Sequence, residues 1–114
     1  MHIIGLSFAG TSTPQREQMT EFMVSVLGVE RAEITGVEAD LFCLADGSLF
    51  AVAAPDTMGP SARAIGFLVD DLDAAISDLR DHGIYTDEIV TNDLNRYVHF
   101  TAPDGHLYEL VEPC

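Results

Sequence analysis

The stretch Ala45-Asp46-Gly47-Ser48-Leu49-Phe50-Ala51-Val52-Ala53-Ala54-Pro55 returns 58 residues later as Pro103-Asp104-Gly105-His106-Leu107-Tyr108-Glu109-Leu110-Val111-Glu112-Pro113. Both copies set Asp-Gly before an apolar-rich run and close on Pro, the pattern of a tight turn feeding a strand. Upstream, Val26-Leu27-Gly28-Val29 and Asp81-His82-Gly83-Ile84 each place Gly behind an amphipathic stretch, at an offset of 55. Nearly constant spacing over most of the chain means two copies of one supersecondary unit. Residues 55–62, Pro-Asp-Thr-Met-Gly-Pro-Ser-Ala, read as the linker between module one, residues 1–54, and module two, residues 63–114, of a single domain.

Each module reads as strand, helix and three strands. In the first, His2 to Ala9 is apolar and extended, and Thr13-Pro14 offers an N-cap followed by Pro at the first helical position. Met19, Phe22, Met23 and Val26 fall at i, i+3, i+4 and i+7, predicting a buried helical face, and Gly28 stops the helix. Val29 to Ile34 is a weaker strand; Leu41 to Leu44 and Leu49 to Val52 form a hairpin about Asp46-Gly47. In the second module Ala64 to Val69 leads, and Asp70-Asp71 supplies carboxylates to the start of a helix whose stripe is Leu72, Ala75, Ile76 and Leu79. Ile84 to Val90, Arg96 to Thr101 and Leu107 to Val111 complete the module. The expected class is α+β, βαβββ twice.

Composition narrows the function. In 114 residues there are five arginines, no lysine and nineteen acidic residues, a formal charge of −14, which repels nucleic-acid backbones and anionic membrane surfaces. Hydrophobic residues make up 47%, enough for a core and too many for a disordered chain. No apolar run approaches a bilayer span. Cys43 and Cys114 stand in unrelated contexts without a CxxC, so free thiols and a cytoplasmic location are expected.

With Gly66-Phe67-Leu68-Val69-Asp70-Asp71-Leu72-Asp73-Ala74-Ala75, Pro103-Asp104-Gly105-His106-Leu107-Tyr108-Glu109-Leu110 and the helix end Phe22-Met23-Val24-Ser25-Val26-Leu27-Gly28, the chain resembles the vicinal oxygen chelate superfamily. That group includes glyoxalase I, bleomycin-binding resistance proteins, fosfomycin-modifying enzymes and extradiol dioxygenases. The resemblance implies two curled mixed sheets around a cavity, and commonly a homodimer. It also implies a metal held by one His, Gln or Glu from the leading strand of each module and one carboxylate from each last strand. Carried over residue by residue, these positions are Phe8 and Ala64 on the leading strands and Ala51 and Glu109 on the last. Only Glu109 can ligate, whereas an open catalytic site needs about three protein ligands, so no cofactor is expected and a divalent metal is disfavoured. His2 shares strand parity with Phe8 but sits six residues earlier, about 20 Å along an extended strand, and reads as a solvated terminal residue.

One polar pair remains. If the last hairpin sets Thr101 opposite Leu107, residues whose numbers sum to 208 face each other, and His99 lies across from Glu109. An imidazole beside a carboxylate can exchange protons near neutral pH, so His99 and Glu109 are the candidate catalytic pair. Tyr97 has the parity of His99; Tyr108 has the opposite parity and should pack under a helix. His82 should complement a helix C-terminus, His106 should be solvated in its turn, and Asp70, Asp71, Asp73, Asp78 and Asp81 read as a solvated face and cap.

The leading expectation is therefore a protein that binds a small organic molecule, without metal, in a cavity lined by Phe8, Ala51, Ala64, Tyr97, His99 and Glu109. Two alternatives stay open: an isomerase, lyase or dioxygenase holding a metal through Glu109, His99 and a partner-subunit residue, and a dimeric interaction module without ligand.

Overall fold

The structure is a computed structural model that describes residues 1–57 and 62–114; of the expected linker, residues 58–61 lie outside the described residues. The elements are β1 (Ile3–Ser12), α1 (Arg16–Ser25), β2 (Glu30–Ala32), β3 (Asp40–Cys43), β4 (Leu49–Ala53), β5 (Arg63–Val69), α2 (Leu72–Asp81), β6 (Val90–Thr91), β7 (Asn95–Thr101) and β8 (Leu107–Pro113). The order is βαβββ twice. The two expected sheets are one: eight strands run β2-β3-β4-β1-β5-β8-β7-β6. Within each half the leading strand pairs parallel with the last, β1 with β4 and β5 with β8, and the halves join where β1 runs antiparallel to β5. That seam gives the leading strands of both modules a partner on each side and leaves only the short β2 and β6 as edges.

The repeated Asp-Gly turns form alike. Gly47 and Gly105 adopt φ of 87° and 81°, a left-handed conformation that other residues enter at a cost, and each follows an Asp. Leu44 N–H donates to Ser48 O at 2.9 Å and Ala102 N–H to His106 O at 3.1 Å, closing both three-residue loops. The second loop fixes the register Thr101↔Leu107 and, two residues in, His99↔Glu109.

The two helices seat differently. Asp71 caps α2 by accepting from Ala74 N–H at 3.0 Å, and Glu112 of β8 accepts from Leu72 N–H at 2.7 Å. The predicted stripe packs: Leu72 and Ala75 are buried with Val69, Val98 and Leu110, flanked by Ile76 and Leu79. In α1 the expectation is corrected twice. Thr13 Oγ1 accepts from Gln15 N–H at 3.1 Å, a turn ahead of the helix, so Gln15 becomes the N-cap without a side-chain cap. Of the predicted stripe, Met23 is buried and Met19 packs beside Phe42 and Val52, whereas Phe22 is exposed and Val26 is 67% exposed. Val26 keeps helical geometry, its N–H donating to Phe22 O at 3.0 Å, but lies past the contact, which stops at Met23.

Charge joins apolar packing in holding α1 to the sheet. Asp40, at the start of β3, accepts from Arg16 Nε and Nη2 at 3.1 Å each, from Thr20 Oγ1 at 2.7 Å and from Arg31 Nη2 at 3.0 Å. Its side chain is 18% exposed, and the hydrogen bond from Arg16 holds its pKa below the ordinary carboxylate value, Thr20 and Arg31 adding to the effect. A depressed pKa stabilises the fold above the unfolded-state value and is lost as the pH falls through the folded one. Asp40→Asn should therefore cost about 1–2 kcal/mol in urea denaturation at pH 7. The gap from wild type should close as both are acidified below the usual carboxylate range.

Candidate functional site

Strand alternation gives the sheet two unlike faces. Toward the helices point Phe42, Val52, Val98 and Leu110, all buried in the cores under α1 and α2. The opposite face of the curled sheet carries a separate cluster of mostly small residues, Leu41, Ala51, Ala53 and Ala64, with Phe8 against it. Small side chains on the inside of a curve leave space, and a cavity of about 240 Å³ lies here. Phe8, Ala51, Ala64, Tyr97, His99 and Glu109 all line it, so both modules contribute walls.

The centre of this wall is one rung of the sheet. Phe8 pairs with Gly66, Gly66 with Glu109, and Glu109 with His99, which sets four residues side by side across β1, β5, β8 and β7. Gly66 is the gap in that row. A Cβ built there would lie 2.4 Å from Phe8 Cδ1 and 2.5 Å from Cε1, so the Phe8 ring occupies the space a side chain would fill.

At the other end of the rung His99 Nε2 lies 2.9 Å from Glu109 Oε2, the contact the hairpin register predicts. The second partner of the imidazole is absent from the sequence reading: Asp87 Oδ2 lies 3.0 Å from His99 Nδ1. Asp87 comes from residues predicted as strand Ile84 to Val90, of which only Val90 joins a ladder, as the first residue of β6. The rest of the segment meets β7 through Asp87, whose N–H donates to His99 O at 3.1 Å and whose Oδ1 accepts from His99 N–H at 2.7 Å. A side-chain carboxylate thus replaces the backbone carbonyl that a ladder would supply, which ends the strand pairing and aims the other oxygen at the ring.

Two carboxylates, one on each ring nitrogen, are both satisfied by imidazolium, the form with two N–H donors. The hydrogen bond to Glu109 raises the His99 pKa above its ordinary value, with the Glu109 charge and the bond and charge of Asp87 adding to it against the opposing effect of burial. Tyr97 stands edge-on to His99 at 5.5 Å between ring centres; burial first, then the charges of Glu109 and Asp87, push its phenol pKa up, so it remains a neutral donor.

The remaining candidates separate from the cavity. Tyr108 stacks between Phe67 and Phe100 on the α2 side and donates to Asp104 at 2.7 Å. His2 is exposed against Asp70, and His82 Nδ1 lies 2.8 Å from Asp78 O at the end of α2. Asp71 caps, Asp73 meets Arg96, and Asp78 holds the Met1 amino group at 2.6 Å, so with Asp70 four of the five aspartates have local partners. His106 departs from expectation: it is half-buried, and its Nδ1 is enclosed without a hydrogen-bond partner. Sequence reasoning also missed Glu38, Asn92 and Asn95 on the cavity lining. For Asn92 the available signal was its turn chemistry, since its Oδ1 accepts from Leu94 and Asn95 N–H at 2.9 and 2.8 Å.

All four positions that the resemblance assigns to metal ligands face the cavity, and three of them, Phe8, Ala51 and Ala64, carry no donor atom. Both nitrogens of the neighbouring His99 are engaged by carboxylates. Among the described residues no group of three or more His, Cys, Asp and Glu is arranged to hold a metal ion. Of the four positions, Glu109 alone carries a donor atom.

Paired βαβββ modules joined across their leading strands around a cavity define a vicinal oxygen chelate fold. A profile of the Glyoxalase/Bleomycin resistance protein/Dioxygenase superfamily matches residues 6–110, and the chain belongs to that superfamily. No curated protein matches it in sequence. Among solved structures it is similar to methylmalonyl-CoA epimerase from Mycobacterium tuberculosis, with a TM-score of 0.78, 19% identity, and 98% of this chain and 89% of that one covered. A methylmalonyl-CoA epimerase variant from Streptomyces coelicolor, in complex with 2-nitronate-propionyl-CoA, gives 0.74 at 21% identity over 97% and 98%. A superfamily member from Vibrio splendidus 12B01 gives 0.68 at 18% identity over 94% and 97%. At such identities the likeness is one of fold, and function has to be argued from the site.

Two outcomes check this geometry. A raised histidine pKa stabilises the fold fully below the unfolded-state value near 6.5 and progressively less as the pH climbs through the folded one. Urea denaturation should show wild type losing stability relative to His99→Gln over that interval; a constant gap would mean the imidazole is not held as a cation. Gly66→Ala should displace the Phe8 ring and cost about 1–3 kcal/mol in thermal unfolding, with the shift visible in a crystal structure of the variant.

Proposed function

We propose that this protein binds a small organic molecule in the cavity between its two modules and does so without a divalent metal. The observation that carries the reading is the chemistry of the four inherited ligand positions, which offer one carboxylate, Glu109, among Phe8, Ala51 and Ala64. An apolar cavity with a few convergent polar groups is the usual construction of a small-molecule site. The Mycobacterium tuberculosis and Streptomyces coelicolor neighbours are methylmalonyl-CoA epimerases, but an acyl-CoA is a polyanion, and the lining of this cavity includes neither Arg nor Lys.

A second reading, an enzyme using acid–base chemistry, is favoured by one feature. Asp87 is 53% exposed while Glu109 is 14% exposed, so the chain Asp87–His99–Glu109 runs from solvent to the cavity wall. Held as a carboxylate by the His99 N–H, Glu109 can take a proton from a ligand and return it to another position of the same molecule. Isomerisation adjacent to an acidifying group is the reaction class that such a base serves.

We also propose a homodimer. Ile4 and Leu6 of β1, a central strand, are exposed at 52% and 59%, apolar surface that a second copy would cover. The exposed free cysteines Cys43 and Cys114 agree with a cytoplasmic setting, and no helix among the described residues is long and apolar enough to cross a membrane.

Native mass spectrometry after incubation with a metabolite extract, together with metal analysis of protein purified without chelator, tests these proposals. The expected result is a dimer that retains a small molecule and carries metal far below stoichiometry. Stoichiometric Zn, Ni, Mn or Fe would overturn the metal-free reading; a cavity that stays empty through repeated extracts would favour an interaction module.

A further inference from the structure

The charges around the cavity are one-sided to an extent that restricts what can enter it. Besides the His99 imidazolium, the permanent cations of the chain are five arginines. Arg16 and Arg31 are bound to Asp40 beneath α1, Arg96 to Glu112 and Asp73 beside α2, and Arg63 lies 3.9 Å from Asp104 at the turn before β8. Arg80 is exposed on α2. None lines the cavity. Residues 58–61, Met-Gly-Pro-Ser, contain no ionisable side chain, so no cation is contributed from there.

Against this the cavity has Glu38 and Glu109 in its lining, with Asp87 directly behind His99. His99 is the one basic group on the wall, and both of its ring nitrogens already face carboxylates. An anionic ligand would meet Glu38 and Glu109 with no free donor of opposite charge to offset them. A positively charged ligand meets the reverse. Glu109 engages His99 through Oε2, and a carboxylate has acceptor capacity for several donors. The rings of Phe8 and Tyr97 border the same space and can present their faces to a cation. Leu41, Ala51 and Ala64 supply apolar wall for the body of the molecule. The volume of about 240 Å³ lies just below the common range for ligand cavities, which suits a compact molecule.

We infer that the cavity selects a small organic cation, an apolar body bearing an ammonium or other protonated nitrogen base, whose charged end is received by Glu109. This inference rests on the proposed small-molecule site and adds the charge class of its ligand. The raised pKa of His99 agrees with it, since the hydrogen bond to Glu109 comes first among its causes and the charges of Glu109 and Asp87 add to it.

The test uses three probes of one shape, benzylammonium, benzyl alcohol and benzoate, titrated at pH 7 into the whole isotope-labelled protein. Shifts of the amide signals of Tyr97, His99 and Glu109 give the affinities. The expected result is benzylammonium binding about ten- to a hundredfold more tightly than either companion, the size of one charge-assisted hydrogen bond. In Glu109→Gln, shown by its amide spectrum to be folded, that preference should fall to about threefold or less. In wild type, benzoate or benzyl alcohol binding as tightly as benzylammonium would overturn the charge class while leaving the small-molecule site in place. No response to any of the three at millimolar concentration would overturn the site itself, and the inference with it. A preference for the cation that survives intact in Glu109→Gln would remove Glu109 as its receptor and overturn the assignment made here.

Discussion

The structure depends on the register across four adjacent strands that brings Phe8, Gly66, Glu109 and His99 into one row. Slipping any one pair by a residue would turn its partner to the helix side, because side chains alternate faces along a strand. The register is held at both ends of the row. At the His99 end the Ala102–His106 loop sets the β7–β8 pairing, and Asp87 braces β7 from the other side. At the Phe8 end the ring lies over Gly66, so the antiparallel seam between the modules and the shape of the cavity are determined by the same contact.

Stability and function are divided between the two faces of the sheet. The helix side buries Phe42, Leu72, Leu110, Val52, Val69 and Val98 completely, each worth about 1.5–3 kcal/mol if apolar burial is counted simply. The cavity side buries alanines in the positions that face the opening, and there the fold gives up packing for volume. The Glu109–His99 pair is drawn partly out of water on that side, and its cost of desolvation is offset by having a carboxylate at each imidazole nitrogen.

What the sequence made legible follows from where local chemistry controls geometry. The Asp-Gly repeat determines two loops, and a loop of known length fixes its hairpin, which is why His99 could be placed opposite Glu109 by counting. The positions lining the cavity follow from strand parity once those loops are set. Asp87 was not legible, because Ile84 to Val90 carries enough apolar residues to read as a strand; the polar run Thr86-Asp87-Glu88 within it was the available sign that pairing would break. The seam between modules was unreadable for a different reason: nothing local specifies which edges of two similar units will join. The exposed side of α1 was missed because periodicity locates a stripe without saying how far a partner extends beneath it, and here the contact stops at Met23.

The account stands on His99 being held as an imidazolium with both N–H groups directed at carboxylates. Nitrogen NMR of the histidine ring in the intact protein measures this directly, since protonated and bare ring nitrogens resonate far apart. At pH 7 both His99 nitrogens should be protonated, with couplings to Asp87 and Glu109 that disappear when either is changed to its amide. A single protonated nitrogen at pH 7, with a titration at the ordinary histidine value, would contradict the arrangement on which the cavity chemistry is built.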